Sequence, residues 1–396
     1  MEMEKVPRAG YEIVGLPIRG LDRTKKLANL SFPFRLISSL FKSWSLVKRW
    51  QPDVVVGTGG YAGGPVLYAA AKLGVPTLIQ EPNAFAGLAN KWLGKQVDKV
   101  CVAFPGMERF FPAEKIVVTG NPVREEAFVR HLPGWGSEGD ARSARGRLSP
   151  DPSPQERGAS AALPATPASP AKSATPASSA SSASPASPAS SASPATSPLP
   201  RGEGLGERRT ILLTGGSGGA RSLNEALRDN TAAIAARPDV SWTWQCGKHY
   251  YDTFKDCATA QLANVTISAF LDDMPTAYAA ADVVIGRAGS TTIAELQFLG
   301  KAAILVPSPW VAEDHQTMNA RVLTDADAAE LVADREASEQ LVPTALRLID
   351  DAERRATLGR NARAMAQTGA VTRIAQEILA LAGRPLTDSS PATTAA

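Results

Sequence analysis

Short apolar runs recur along this chain, each ending in a turn and followed in many cases by a helical pattern, and that alternation restricts the fold more than any other feature. Before the middle of the chain the runs are "DVVVG" (53–57), "PTLIQ" (76–80), "KVCVAF" (99–104) and "KIVVTG" (115–120). After it come "TILLTG" (210–215), "VSWTWQ" (240–245), "NVTISAF" (264–270), "DVVIG" (282–286) and "AAILVP" (302–307). Continuous apolar runs of this length suit strands buried on both faces. The segment "SLNEALRDNTAAIAA" (222–236) carries a helical pattern between two of them. Strand and helix in turn predict parallel sheets with helices on both faces, in two blocks. A chain of 396 residues has room for two such domains.

A composition break separates the blocks. From about Gly134 to Glu207 apolar periodicity vanishes, and residues 159–200 are nearly all Ala, Ser, Pro and Thr. Proline removes backbone donors, and so few large apolar groups cannot offset the entropy of ordering. The segment is expected to be a disordered spacer or tolerated insertion, not a domain.

Charge narrows the function classes. Lys plus Arg is 42 and Asp plus Glu is 39, a net +3, which does not suit a nucleic-acid binder. The first fifty residues differ, with ten basic against four acidic side chains. Three scattered cysteines without a CxxC motif suggest a reducing compartment. Three histidines form no HExxH or Cys/His cluster, so no metal site is expected. No run reaches the ~18–20 apolar residues of a membrane span, and "MEMEKVPRAG" has no apolar core like a secretory signal. The expected location is the cytosol, or a membrane approached from its cytosolic side.

Three strand-to-helix turns carry the chemistry. "VVVGTGGYAGGPVLYAAAKLG" runs from a strand through Gly57, Gly59, Gly60, Gly63 and Gly64 to Pro65, which suits a first helical turn. "TILLTGGSGGARSLNEAL" places Ser217 among Gly215, Gly216, Gly218 and Gly219. "GRAGSTTIAEL" (286–296) opens a helix with Ser290, Thr291 and Thr292 and sets Glu295 one turn in. A tight turn needs glycine without any ligand, and an acid in a second helical turn is ordinarily just solvated. Several such turns at the carboxyl ends of strands instead favour a phosphate-bearing ligand, held by helix N–H groups, with the acid accepting from a ribose diol.

These residues resemble the MurG family of peptidoglycan N-acetylglucosaminyltransferases. The matching motifs are "GTGGYAGGP" (57–65), "QEPNAFAGLANKWL" (80–93), "GNPVR" (120–124), "GGSGGARSLN" (215–224), "FLDDMPTAYAAADVVIGRAGSTTIAEL" (270–296) and "EDHQTMNA" (313–320), in family order. The resemblance implies a GT-B fold, two Rossmann-like doubly wound domains facing a cleft. It implies inverting transfer of GlcNAc from UDP-GlcNAc to lipid I, the undecaprenyl-pyrophosphoryl-MurNAc-pentapeptide, giving lipid II, with no cofactor. Its domains would be an acceptor and membrane-side domain over 1–133, the insert over 134–207 and a UDP-GlcNAc domain over 208–370. A C-terminal helix over 371–384 would pack back on the first domain, ahead of a disordered tail over 385–396.

The donor contacts it implies are Asn83, Arg124, Ser217, Leu271 at the uracil, Ser290, Thr291, Thr292, Ile293 and Ala294 around the diphosphate, Glu295 at the ribose and Gln316 at the sugar hydroxyls. Gly59, Gly60, Tyr61, Gly63 and Gly64 would form the loop facing the acceptor. Helix N-termini would stabilise the departing diphosphate. The acceptor hydroxyl needs a base, and spacing singles out none, so the catalytic residue is unknown. Cell-wall synthesis or division proteins are implied as further partners.

"FPFRLISSLFKSWSLVKRW" (32–50) reads as a basic amphipathic helix with two apolar ridges, Leu36–Leu40–Val47 and Ile37–Phe41–Trp44. One ridge suffices for a core, and the second suits an anionic bilayer surface. The resemblance implies a membrane contact here by Leu36, Ile37, Leu40, Phe41, Trp44 and Trp92, which places the chain peripherally on the inner face of the cytoplasmic membrane.

The chain also departs from the family. The family begins with a strand and a glycine-rich loop ending in Gly-His, and "MEMEKVPRAGYEIVGLPIRGLDR" resembles sequence downstream of both. An upstream start or a fragment is therefore expected, with a gap in the middle of the N-terminal sheet. Gly63 stands for the family's serine, "QEPN" for "HEQN" and "GGSGGA" for "GGSQGA". Rival expectations are another GT-B glycolipid transferase, or a catalytically dead nucleotide-sugar-binding protein.

Overall fold

The computed structural model describes residues 2–18, 30–129 and 209–384. The expected spacer (134–207) and tail (385–396) lie outside the described residues. The N-terminal half contains α1 (Glu2–Arg8), α2 (Phe32–Trp50), β1 (Val55–Gly57), α3 (Gly63–Lys72), β2 (Thr77–Glu81), α4 (Leu88–Leu93), β3 (Lys99–Val102), β4 (Ile116–Val118) and α5 (Glu125–Val129). The C-terminal half contains β5 (Arg209–Thr214), α6 (Arg221–Asp229), α7 (Thr231–Ala235), β6 (Val240–Gln245), α8 (Tyr251–Phe254), β7 (Val265–Ser268), α9 (Met274–Ala280) and β8 (Val283–Gly286). It continues with α10 (Ser290–Leu299), β9 (Ala302–Leu305), α11 (His315–Asp325), β10 (Glu330–Leu331), α12 (Ala337–Asp350), α13 (Ala352–Ala364) and α14 (Ala370–Leu381).

The strands pair in parallel throughout. The first sheet has the order β1-β2-β3-β4, and the second β10-β9-β8-β5-β6-β7. In the second sheet the chain winds outward one way from β5 through β6 and β7, then returns beside β5 as β8 and continues the other way. The reversal leaves a crevice at the carboxyl ends of β5 and β8, where open α/β sheets bind ligands.

Alternation along the strands divides the C-terminal core. Ile211 and Leu213 face a cluster with Leu223, Leu227, Leu341 and Leu348. Leu212, Val284 and Leu305 face the opposite way, into a cluster that includes Ala84, Ala103, Phe104 and Phe128 of the N-terminal half. One hydrophobic core therefore spans both halves. At the end of the chain Arg373 of α14 donates to the Thr119 carbonyl, the Gly369 N–H donates to Glu125 Oε1 and Arg384 pairs with Asp53.

Several sequence expectations need correction. The helix expected over 222–236 is two helices, broken where Asn230 turns its amide to the Ala226 and Ser338 carbonyls. The two-residue strand β10 was too short to show as an apolar run. On α2 the buried side chains are Ser39, Ser43 and Val47, so of the two apolar ridges only Val47 turns fully into the core. The gap expected inside the N-terminal sheet is not found among the described residues. There β1 to β4 pair consecutively, and no described strand lies on the outer side of β1.

Candidate functional site

The crevice at the switch point is lined by two turns. After β8 the chain passes Arg287 and Ala288 to Gly289, whose extended backbone caps α10 without any side-chain hydrogen bond to the first turn. No cap side chain therefore occupies the opening N–H groups of α10, and the helix contributes roughly half a positive charge there. Ser290 is half-buried and Thr291 exposed, while Thr292 and Ala294 are partly covered and Ile293 is in the core. Beside them, after β5, the second glycine turn exposes Ser217. Its glycines divide into two kinds. A side chain at Gly215 would strike the Ala220 backbone and one at Gly219 the Cys246 carbonyl, so both are needed for packing. A side chain at Gly218 would meet open space, so packing does not require glycine there.

Glu295 lies one turn inside α10. The hydroxyl of Tyr278, almost fully buried on α9, donates to its Oε2 at 3.1 Å. Burial pushes the Glu295 carboxyl above its ordinary value, and the Tyr278 hydrogen bond opposes that only in part. Burial also pushes Tyr278 well up, with the nearby Glu295 charge adding to it, so the phenol stays a donor. The loop before α9 carries Leu271, half-buried against the shared core. Asp273 then caps α9 by accepting from the Thr276 N–H at 3.2 Å.

Gln316, in the first turn of α11, accepts from the Ser308 N–H at 2.9 Å through Oε1, which leaves its amide NH2 to donate to a ligand. Arg287 is held elsewhere. It donates to the Val306 and Pro307 carbonyls at 3.1 and 3.3 Å, to Asp334 at 2.5 Å and to Ser222 at 2.9 Å. It thus ties the ends of β8, β9 and β10 to the start of α6, and its charge is answered by Asp334.

The N-terminal half closes the other side. Gly120, Asn121 and Val123 line a small cleft opposite Ser290, Ala294 and Gln297, and Arg124, next in the chain, is exposed. Asn83 reaches the same region through Asn319, whose side chain also binds the Ala288 carbonyl. The turn between β1 and α3 places Gly59 and Gly60 at φ of 96° and 76°, a left-handed region that favours glycine. Side chains there or at Gly63 would meet open space, and Tyr61 is exposed. A side chain at Gly57 would instead collide with Leu67.

One turn beyond Gly64 on α3, Tyr68 joins Ile37, Leu40, Phe41, Trp44, Lys48 and Arg49 of α2 around an open apolar recess. Phe41 is 75% and Ile37 51% exposed, while Leu36 is half-buried. Trp92 of α4 is 56% exposed, with its ring 5.2 Å from Tyr68.

Comparison with known proteins places both halves of the chain in one family. Residues 1–102 match the glycosyltransferase family 28 N-terminal domain and 210–378 its C-terminal domain. The UDP-N-acetylglucosamine--N-acetylmuramyl-(pentapeptide) pyrophosphoryl-undecaprenol N-acetylglucosamine transferase of Parabacteroides distasonis is 41% identical, over 96% of this chain and 86% of its own length. The chain belongs to the MurG family. The enzyme of the same name from Bacteroides thetaiotaomicron is 39% identical over 96% of this chain and 87% of its own. The crystal structure of Acinetobacter baumannii MurG superposes with a TM-score of 0.63 at 26% identity, covering 96% of this chain and 88% of that one. The two parallel-sheet domains described above are thus the GT-B arrangement of the MurG fold.

Within that MurG frame, three residues stand at the site that motif reading passed over. Tyr278 lies in "FLDDMPTAYAA" and looks like an ordinary core aromatic. Glu81 of "QEPN" is buried and accepts four hydrogen bonds from Asn83, Gly87 and Asn90. Asn319 stands one turn after Gln316 on the same helix. Only Asn319 carried a positional signal, three residues after Gln316 on one helix, and only the contacts separate such a residue from a solvated one.

Proposed function

We propose that this chain transfers N-acetylglucosamine from UDP-GlcNAc to lipid I, forming lipid II and UDP at the cytoplasmic face of the plasma membrane. The observation that carries this reading is the uncapped mouth of α10 at the switch point of the second sheet. Backbone donors there suit a diphosphate, and Glu295 one turn on suits a ribose. The family membership of the chain supplies the sugar and the acceptor.

In this reading the acceptor hydroxyl gives up its proton to a base and forms the new bond to the anomeric carbon as the bond to the UDP oxygen breaks, with inversion. Negative charge grows on the departing diphosphate, and the α10 N-terminus is aimed where it grows. Arg124 adds positive charge from the opposite side, whereas Arg287 is already spent on Asp334. Ser217 meets the diphosphate from the second glycine turn, while Leu271 borders the uracil. Asn83 and the Gln316 amide hold the sugar. The glycine turn at 59–64 faces the acceptor diphosphate, and the apolar recess one turn along α3 rests on the bilayer, with Lys48 and Arg49 toward anionic headgroups.

The test is turnover by the purified full-length chain with UDP-GlcNAc and lipid I in phospholipid vesicles. Lipid II and UDP should form in equal amounts. Binding of UDP-GlcNAc without transfer to lipid I, or transfer to diacylglycerol in its place, would overturn the proposal.

A further inference from the structure

The two residues ahead of α11 are held in a conformation that costs energy. Glu313 has a φ of 56° and Asp314 one of 51°, both in the left-handed region, where a residue with a Cβ is strained. Such strain persists only where contacts hold it. Asp314 is held from its own helix, since its Oδ1 accepts from the Thr317 hydroxyl at 2.6 Å. Glu313 is held from the other half of the protein. Its Oε1 accepts from the Leu88 N–H, the first of α4, at 3.3 Å, and its Oε2 lies 3.9 Å from Lys91 Nζ.

The rings around Lys91 fix where its charge sits. The ammonium is 3.7 Å from the centre of the Phe85 ring and 4.7 Å from that of Phe110, and the two rings meet edge to face at 4.9 Å. Arg109 lies over Phe110 and donates to the Ala84 carbonyl at 2.8 Å, which braces this group within the N-terminal half. Lys91 is thus drawn to the rings and stops short of a hydrogen bond with Glu313, whose Oε2 is shut from solvent without a hydrogen-bond partner. The contact across the halves gains an ion pair and one backbone hydrogen bond. Against them stand a strained backbone and an unpaired buried oxygen. Terms of opposite sign suit a contact that is made and broken, not a permanent bolt.

The halves are closed on the head of α10. Opposite Ser290 and Ala294 the N-terminal half leaves a cleft of about 20 Å³, room for one water.

We propose that Glu313 is a strained catch that holds the cleft shut in the ligand-free protein and gates entry to the crevice. When the halves part, Glu313 loses Leu88 and Lys91, and its backbone relaxes out of the left-handed region. The catch is independent of what the crevice binds, and only the gate rests on the nucleotide reading above.

Hydrogen exchange of the ligand-free full-length chain measures the opening. The Ala84 N–H is held by Asn319 Oδ1 from the other half, so it exchanges when the halves part. The Ala103 N–H, held by the Glu81 carbonyl within the N-terminal half, is the control. Glu313→Gln and Lys91→Met should each speed exchange at Ala84 about fivefold, the effect of one partly buried ion pair. Ala103 should not change, and the double variant should be no faster than either single one. UDP should associate with Glu313→Gln faster by the same factor, because the open form is more populated. Glu313→Gly should melt no higher than Glu313→Ala, because glycine gains only where the backbone stays left-handed.

Unchanged exchange at Ala84, or additive effects of the two substitutions, would overturn the catch. A higher midpoint for Glu313→Gly would overturn the relaxation of the turn, and faster exchange with unchanged UDP association would overturn the gate. A wild-type chain that binds no UDP refutes the nucleotide reading instead, and exchange at Ala84 still decides the catch.

Discussion

The Glu295 carboxylate stands half-buried inside α10, and burial favours its protonated form in the folded protein. The raised value fixes a sign. Stability from the protonated group is fully present below the ordinary carboxylate range and is lost as pH rises through the raised folded value. Glu295→Gln should therefore raise the thermal midpoint near neutral pH, measured by calorimetry, with the gain vanishing in acid. Ligand binding runs the other way, because ribose hydroxyls donate to the ionised form. UDP affinity of the wild type should fall on acidification through that raised value, at higher pH than an ordinary carboxylate would require. Glu295→Ala should weaken UDP binding by about 1.5–3 kcal/mol, the range for hydrogen bonds to a charged group. A variant that binds UDP as the wild type does would leave Glu295 a partly buried acid paired with Tyr278 and without a part in binding. The turn and the acid were legible in "GRAGSTTIAEL" because glycine, hydroxyls and a carboxylate at helical spacing are local features. Tyr278 was not legible, because its hydroxyl meets Glu295 only after α9 and α10 have packed.

At the scale of elements, α2 shows where periodicity misleads. Either apolar ridge, Leu36–Leu40–Val47 or Ile37–Phe41–Trp44, has side chains large enough to look like a core face. The ridge that packs on α3 is Ser39, Ser43 and Val47, against Ala69 and Ala70. Small side chains on both helices let the backbones approach closely, and the larger groups are turned outward around the recess. The amphipathic character of the segment was therefore legible, but the rotation of the helix was set by partners, Ala69 and Ala70, that lie outside the segment in α3. Outward apolar groups predict a surface effect with little change in the core. Ile37→Asp with Phe41→Asp should reduce binding to anionic vesicles at least about tenfold, since each buried side chain of this size contributes about 1.5–3 kcal/mol. Lys48→Glu with Arg49→Glu should weaken binding to anionic but not neutral vesicles, at about 1 kcal/mol per charge removed. Cosedimentation measures both, and the thermal midpoints should move little. Unchanged vesicle binding in the first variant would assign the recess to something other than a bilayer.

At the scale of the molecule, the composition break made the chain look like two independent blocks. The contacts make them one body, through pairs no local pattern reveals, such as Asn83 with Asn319 and Glu125 with Gly369. Phe128 is the largest such group. It comes from α5 of the N-terminal half, is 3% exposed, and packs with ring centroids 6.2 Å from Tyr278 and 6.2 Å from Phe298 of the C-terminal half. Phe128→Ala should cost about 3–5 kcal/mol, the usual loss for a buried phenylalanine. The cost should fall on the coupling between halves. Calorimetry should show the single transition of the wild type dividing, with the four-stranded half melting first. Phe254→Ala removes an equally buried ring that packs only within the C-terminal half, so it should lower the midpoint without that division. Because Phe128 also supports Tyr278, and Tyr278 holds Glu295, its loss should weaken UDP binding where Phe254→Ala does not. A transition that stays single in both variants, with equal UDP affinity, would mean that the shared core joins the halves without coupling them.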